Sequence, residues 1–128
     1  MSAAHMGILY VLLGLLALSL IGPGMAGAFN RRIGRVWLIA DTPDARSHLR
    51  GLNAMMAALG MIALWACWDL ERARLLVMGL GLVLAVVAVA RLYSLLADGP
   101  PGGSTLAYLA VEIVLAAVFL AWPPPVVG

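Results

Sequence analysis

Two residues carry charge into stretches that are otherwise apolar: Arg91, within AVVAVARLYSLLAD, and Glu112, within LAYLAVEIVLAAVF. A charge inside membrane hydrocarbon costs about 2.5–3.5 kcal/mol on insertion scales, so such residues normally pair, face other helices and mark a site. The turn Asp98-Gly99-Pro100-Pro101-Gly102-Gly103 separates the two runs, and so short a connection makes them antiparallel neighbours. Arg91 stands six residues before Ala97 and Glu112 seven after Thr105. Both then lie about 9–10 Å below the loop, which predicts an ion pair, direct or water-bridged. The chemistry open to such a pair is the binding of a polar group or, through the glutamate, the carriage of a proton. Nucleophile, metal set and cofactor motif are all missing from its surroundings.

Other polar residues fall at the same depth. Asn53 lies six residues after Ser47, and Pro23 six before Phe29. On the third helix Arg91, Ser94 and Asp98 share a face; on the fourth, Tyr108 and Thr105 stand one and two turns above Glu112; on the second, Arg50 stands above Asn53. The expected ligand-binding set is therefore Arg50, Asn53, Arg91, Ser94, Asp98, Tyr108 and Glu112, a polar layer in the loop-side half of the helices. Two readings of it stay open. The layer locks the helices, with a structural ion pair and Asn53 hydrogen-bonded between helices, or it lines a cavity that takes the polar head of an amphipathic molecule. Pro23 favours the cavity, since it leaves the Ser19 carbonyl without its helical donor and irregular backbone at membrane depth is tolerated where protein or water satisfies it.

The elements that must position these residues follow from composition. The 128 residues are 64% hydrophobic and 11% charged, against about 25% charged in soluble domains, so an all-α integral membrane four-helix bundle in one domain is expected. The first helix spans 6–29, uncharged throughout; Pro23 should bend or loosen it. Residues 30–40, with Arg31, Arg32 and Arg35 opposite Ile33, Val36 and Trp37, read as a short interfacial segment. Thr42-Pro43-Asp44 is a helix start, with a capping hydroxyl, a proline in the first turn and an acid behind it. The second helix then covers 43–68, where Ala54, Ala58 and Gly60 are small enough for close helix contact. After the polar link 69–74 come helices over 74–97 and 105–122, the last stopped by Pro123-Pro124-Pro125.

Four spans put both termini on one side. The 30–46 loop has four arginines against two in 69–74, so the positive-inside rule places that loop in the cytoplasm and the termini outside. Trp65, Trp68, Trp122 and Tyr10 should form an aromatic belt on the termini side, with Trp37, Tyr93 and Tyr108 on the other. A leader peptide is not expected, because nothing basic precedes Arg31 except the terminus and His5. Cys67 allows no intramolecular disulfide and reads as a packing residue. The formal charge of +2 is too small and scattered for a nucleic-acid partner. His5 and His48, on opposite sides of the membrane, cannot share a metal, and no cofactor is implied.

The run Arg91-Leu92-Tyr93-Ser94-Leu95-Leu96-Ala97-Asp98-Gly99-Pro100-Pro101, followed by Glu112-Ile113-Val114-Leu115, resembles a family of small bacterial four-helix membrane proteins catalogued as a domain of unknown function. That family shows RLLSLLxDGPP and then LELVL. Gly22-Pro23 and the stretch from Asp44-Ala45-Arg46 to Gly51 also fit, so the resemblance covers most of the chain. It departs where Leu52 and Asn53 follow Gly51 in place of a second glycine. The resemblance implies a fold, loosely similar to the DoxX-like membrane proteins, and no activity.

A weaker resemblance joins Arg46-Ser47-His48-Leu49-Arg50-Gly51-Leu52-Asn53 to the RAHLNDLE helix of the membrane-associated eicosanoid and glutathione metabolism proteins. Arg50 stands there in place of asparagine and Asn53 in place of glutamate. The functional expectation is thus a multi-pass protein of the inner membrane, more a binder than an enzyme. Its partners are membrane lipids and an amphipathic small molecule, with assembly as a homo-oligomer or as an accessory subunit of a membrane complex. The alternatives are a proton-coupled transporter using Glu112 and a glutathione-type membrane transferase. Small multidrug transporters are also four-helix chains with one buried glutamate, but theirs lies in the first helix.

Overall fold

The computed structural model describes residues 1–29 and 42–126. Its elements are α1 (Ala3–Phe29), α2 (Pro43–Trp68), a 3₁₀ turn (Leu70–Arg72), α3 (Arg74–Asp98) and α4 (Gly103–Ala121). No strand occurs among the described residues, and each of the four α-helices is long and apolar enough to cross a membrane. The interfacial segment expected over 30–40 lies outside the described residues, with Arg31, Arg32, Arg35 and Trp37.

Helix starts and stops follow from local chemistry. At α2, Thr42 Oγ1 accepts from the Ala45 amide at 3.0 Å, and Pro43 opens the helix, so an otherwise orphaned amide is satisfied by a side chain. At α1, Ser2 Oγ accepts from the His5 amide at 3.1 Å and the Ser2 carbonyl from the Met6 amide at 3.0 Å. The helix therefore begins at Ala3, one turn earlier than its first long apolar run suggests. It continues unbroken through Pro23 to Phe29. Helix α4 begins at Gly103, two residues before Thr105, because the Gly102 carbonyl already accepts from the Leu106 amide at 3.1 Å.

The chain divides into two compact units, Ser2–Asp69 and Leu70–Gly128, the latter grouped with Met1. In the first, α1 and α2 form an antiparallel hairpin whose seam is built from small residues. A Cβ on Gly24 would lie 2.7 Å from the Ala57 nitrogen and 2.8 Å from the Asn53 carbonyl oxygen, and one on Gly60 would meet Ile21, Leu20 and the Ala17 carbonyl. Without a hydrophobic drive between helices in lipid, this intimacy is what gives van der Waals contact its strength. The buried face of α2 runs Leu49, Asn53, Ala57, Gly60. The expectation for Gly60 holds, whereas Ala54 and Ala58 are exposed: the contact stripe lies one residue away from them, on 53 and 57.

In the second unit α3 and α4 also run antiparallel. Gly81 lies against Phe119 and Leu120, where an added Cβ would be 2.9 Å from Leu120 Cγ. Arg74 Nη1 donates to the Pro124 carbonyl at 2.8 Å, tying the start of α3 to the proline run after α4. Much of each helix's apolar surface remains uncovered, including Leu75, Leu96 and Trp68. Such faces suit hydrocarbon and would be unusual in water.

Candidate functional site

The Arg91–Glu112 pair forms. Arg91 Nε donates to Glu112 Oε2 at 2.9 Å and to Oε1 at 3.2 Å. The two side chains differ in exposure, 36% for Arg91 and 8% for Glu112. The carboxylate is thus sunk between helices and the guanidinium reaches outward. An arginine carries five N–H donors in a planar fork. Only Nε is used here, so the four Nη donors make no hydrogen bond among the described residues.

Arg91 also lines a cleft of about 70 Å³ at the loop end of the α3–α4 hairpin, together with Ser94, Leu95, Pro101, Thr105, Leu106 and Leu109. The cleft has room for a small polar group, since a water needs only about 10–15 Å³ measured in this way. Its polar edge comes from Arg91, Ser94 and Thr105; its apolar wall from the leucines and Pro101. One turn beyond Ser94, Asp98 Oδ2 accepts from Ser94 Oγ at 2.9 Å, which fixes the serine on the cleft side of α3. Glu112 does not line the cleft but holds the arginine that does.

The sequence-expected residues therefore take different places. Arg91, Ser94, Asp98 and Glu112 come together at one end of the second hairpin. Tyr108 is exposed and outside this cleft, whose α4 wall follows Glu112 upward through Leu109 and Thr105. Arg50 and Asn53 belong to the first hairpin. Arg50 Nη1 donates to the carbonyls of Ala28 and Phe29 at 2.8 and 2.9 Å, supplying cationic donors to the last turn of α1, where carbonyls lack helical partners. Asn53 is fully buried and its Nδ2 donates to the Leu49 carbonyl one turn back at 3.0 Å, the local satisfaction open to a polar side chain in a helix. No three His, Cys, Asp or Glu side chains among the described residues gather as metal ligands.

Sequence reasoning passed over Leu95, Pro101, Leu106 and Leu109 as cleft residues. The turn prolines were the available signal: Pro101 cannot donate an amide and so belongs to the turn beyond α3, where it lines the cleft. Residue types place Arg74 at the end of the polar link and the start of α3 and say nothing of its bond to Pro124. Its partner is a backbone carbonyl, which leaves no trace in residue types.

Fold and charge placement together define a small helical membrane protein with an ion pair set into one hairpin. The family model described as a domain of unknown function (DUF4345) matches residues 8–123, and the chain belongs to that family. No curated protein and no solved structure matches the chain.

Proposed function

We propose that the protein binds a lipid-like, amphipathic molecule, with the polar head in the Arg91 cleft and the tail along the apolar helix surfaces. The observation that carries this reading is the unspent guanidinium. Glu112 holds Arg91 by one nitrogen, and four further donors remain beside a cleft with polar and apolar walls. Unmatched donors at membrane depth call for acceptor oxygens. A lipid headgroup supplies them together with a chain that the exposed leucines and valines accommodate. On this reading the two hairpins work as one four-span domain of the bacterial inner membrane. The 99–102 turn faces the cytoplasm and the termini lie outside, either in a homo-oligomer or as an accessory subunit. Arg50 and Asn53 bond to backbone carbonyls within their own hairpin.

Native mass spectrometry of protein released gently from its membrane tests the proposal. Wild type should retain lipid, and Arg91→Met should retain markedly less at equal helix content. Equal retention by the two proteins refutes it. Proton-driven uptake into proteoliposomes that is lost in Glu112→Gln would replace binding by transport.

A further inference from the structure

We infer that the headgroup preferred at the Arg91 cleft is a zwitterion, a phosphate linked to a primary ammonium, rather than an anionic phosphate; the inference rests on the binding reading above and names its ligand class. The argument begins with charge. Arg91 and Glu112 cancel each other at 2.9 Å. Asp98 is then the unbalanced charge at this end of the hairpin, joined to the cleft through Ser94. It ends α3, where the helix's own carbonyls already carry partial negative charge. A purely anionic headgroup would satisfy the arginine and at the same time meet this excess of negative charge.

A phosphate bearing an amine answers both ends. The Arg91 donors take the phosphate oxygens in the charge-assisted geometry that guanidinium favours, with the Thr105 side of the cleft opposite. Ser94 lies one turn from Arg91 and one turn from Asp98 on the same face of α3. The cleft extends along α3 from Arg91 to Ser94, whose hydroxyl is 2.9 Å from Asp98 Oδ2, so the two-carbon bridge between the phosphate and amine of such a headgroup has to cover only the remaining helical turn of about 5.4 Å. The ammonium is thereby brought towards Asp98, whose carboxylate uses Oδ2 for Ser94 and leaves Oδ1 without a hydrogen bond among the described residues. A carboxylate accepts at both oxygens. It therefore discriminates a primary ammonium, which donates N–H groups, from a trimethylammonium, which has none.

The test is a lipid titration read by native mass spectrometry, using phosphatidylethanolamine, phosphatidylcholine and phosphatidylglycerol with identical acyl chains. Wild type should bind phosphatidylethanolamine about tenfold more tightly than either of the others, the ratio expected from one ionic hydrogen bond. Asp98→Asn should bring the three lipids to similar affinity, weakening phosphatidylethanolamine and relieving the repulsion on phosphatidylglycerol, and Asp98→Glu, which restores the charge, should recover part of the preference. Arg91→Met should weaken all three. If wild type binds phosphatidylglycerol as well as phosphatidylethanolamine, or if Asp98→Asn keeps the preference, the zwitterion inference is overturned while the Arg91 site stands. If Arg91→Met leaves all three affinities unchanged, the site itself is lost, and the inference with it.

Discussion

Replacing Arg91 by methionine removes the hydrogen-bond partner that the described residues give the Glu112 carboxylate, and that carboxylate is the buried member of the pair. A charge stranded in this way costs about 3–5 kcal/mol. Replacing Glu112 by methionine leaves a guanidinium that is 36% exposed and whose Nη donors are already without protein partners. The loss is then one charged hydrogen bond discounted for solvent, about 1–2 kcal/mol. The double variant strands nothing and should cost under about 2 kcal/mol, because well-packed apolar residues often replace a buried pair at little loss. The coupling between the sites is thus about 3 kcal/mol, with the two single variants unequal. Unfolding of the four proteins by sodium dodecyl sulfate in mixed micelles, followed by far-ultraviolet circular dichroism, gives each term of the cycle. Additive losses, or a Glu112→Met variant weaker than Arg91→Met, would refute the reasoning from exposure.

Gly24→Ala should destabilise by about 1–3 kcal/mol, since its Cβ would strike backbone atoms of α2, whereas Gly14→Ala, with nothing within 4 Å, should be neutral or mildly stabilising in the same assay. Arg50→Met should speed amide exchange in the last turn of α1 and cost about 1 kcal/mol, with unchanged exchange arguing that the two carbonyl contacts carry no weight. Thr42→Ala should cost about 1 kcal/mol through the lost cap, seen first as faster exchange at Ala45. Arg74→Met should free the segment after α4, raising the mobility of Trp122 in fluorescence anisotropy.

Punctuation was the legible part of this sequence. Thr42-Pro43, the Gly/Pro turn after Asp98 and the prolines after Trp122 act through a missing amide or a capping oxygen, and the link at Asp69 through its charge, so they declare a helix end without tertiary help. Ser2 caps α1 by the same chemistry, although the long apolar run begins only at Met6. The Arg91–Glu112 pair was legible because a short turn fixes the register of two antiparallel helices. The choice between 53/57 and 54/58 on α2 was not, because both stripes offer small residues at helical spacing, so residue size does not choose between them. Where Arg50 and Arg74 bind was equally hidden, since each takes backbone carbonyls that every residue possesses. The cleft itself depends on how Pro101 and three leucines pack beside the arginine, a matter of shape rather than of residue type.

The order of the ion pair along the chain has a consequence for synthesis. A nascent chain presents α3 to the membrane before α4, so Arg91 reaches the bilayer while Glu112 is still unmade or waiting outside. During that interval the charge is carried by α3 alone. The most apolar 18-residue stretch of this helix has a mean hydropathy of 2.5, above the corresponding stretches of the other three, and Arg91 lies near the loop-side end of the helix, where a long side chain can extend to the interface until its partner arrives. Insertion of α3 is thereby made independent of the residue that later neutralises it. The glutamate, with the shorter side chain, follows on α4, when Arg91 is already there to receive it.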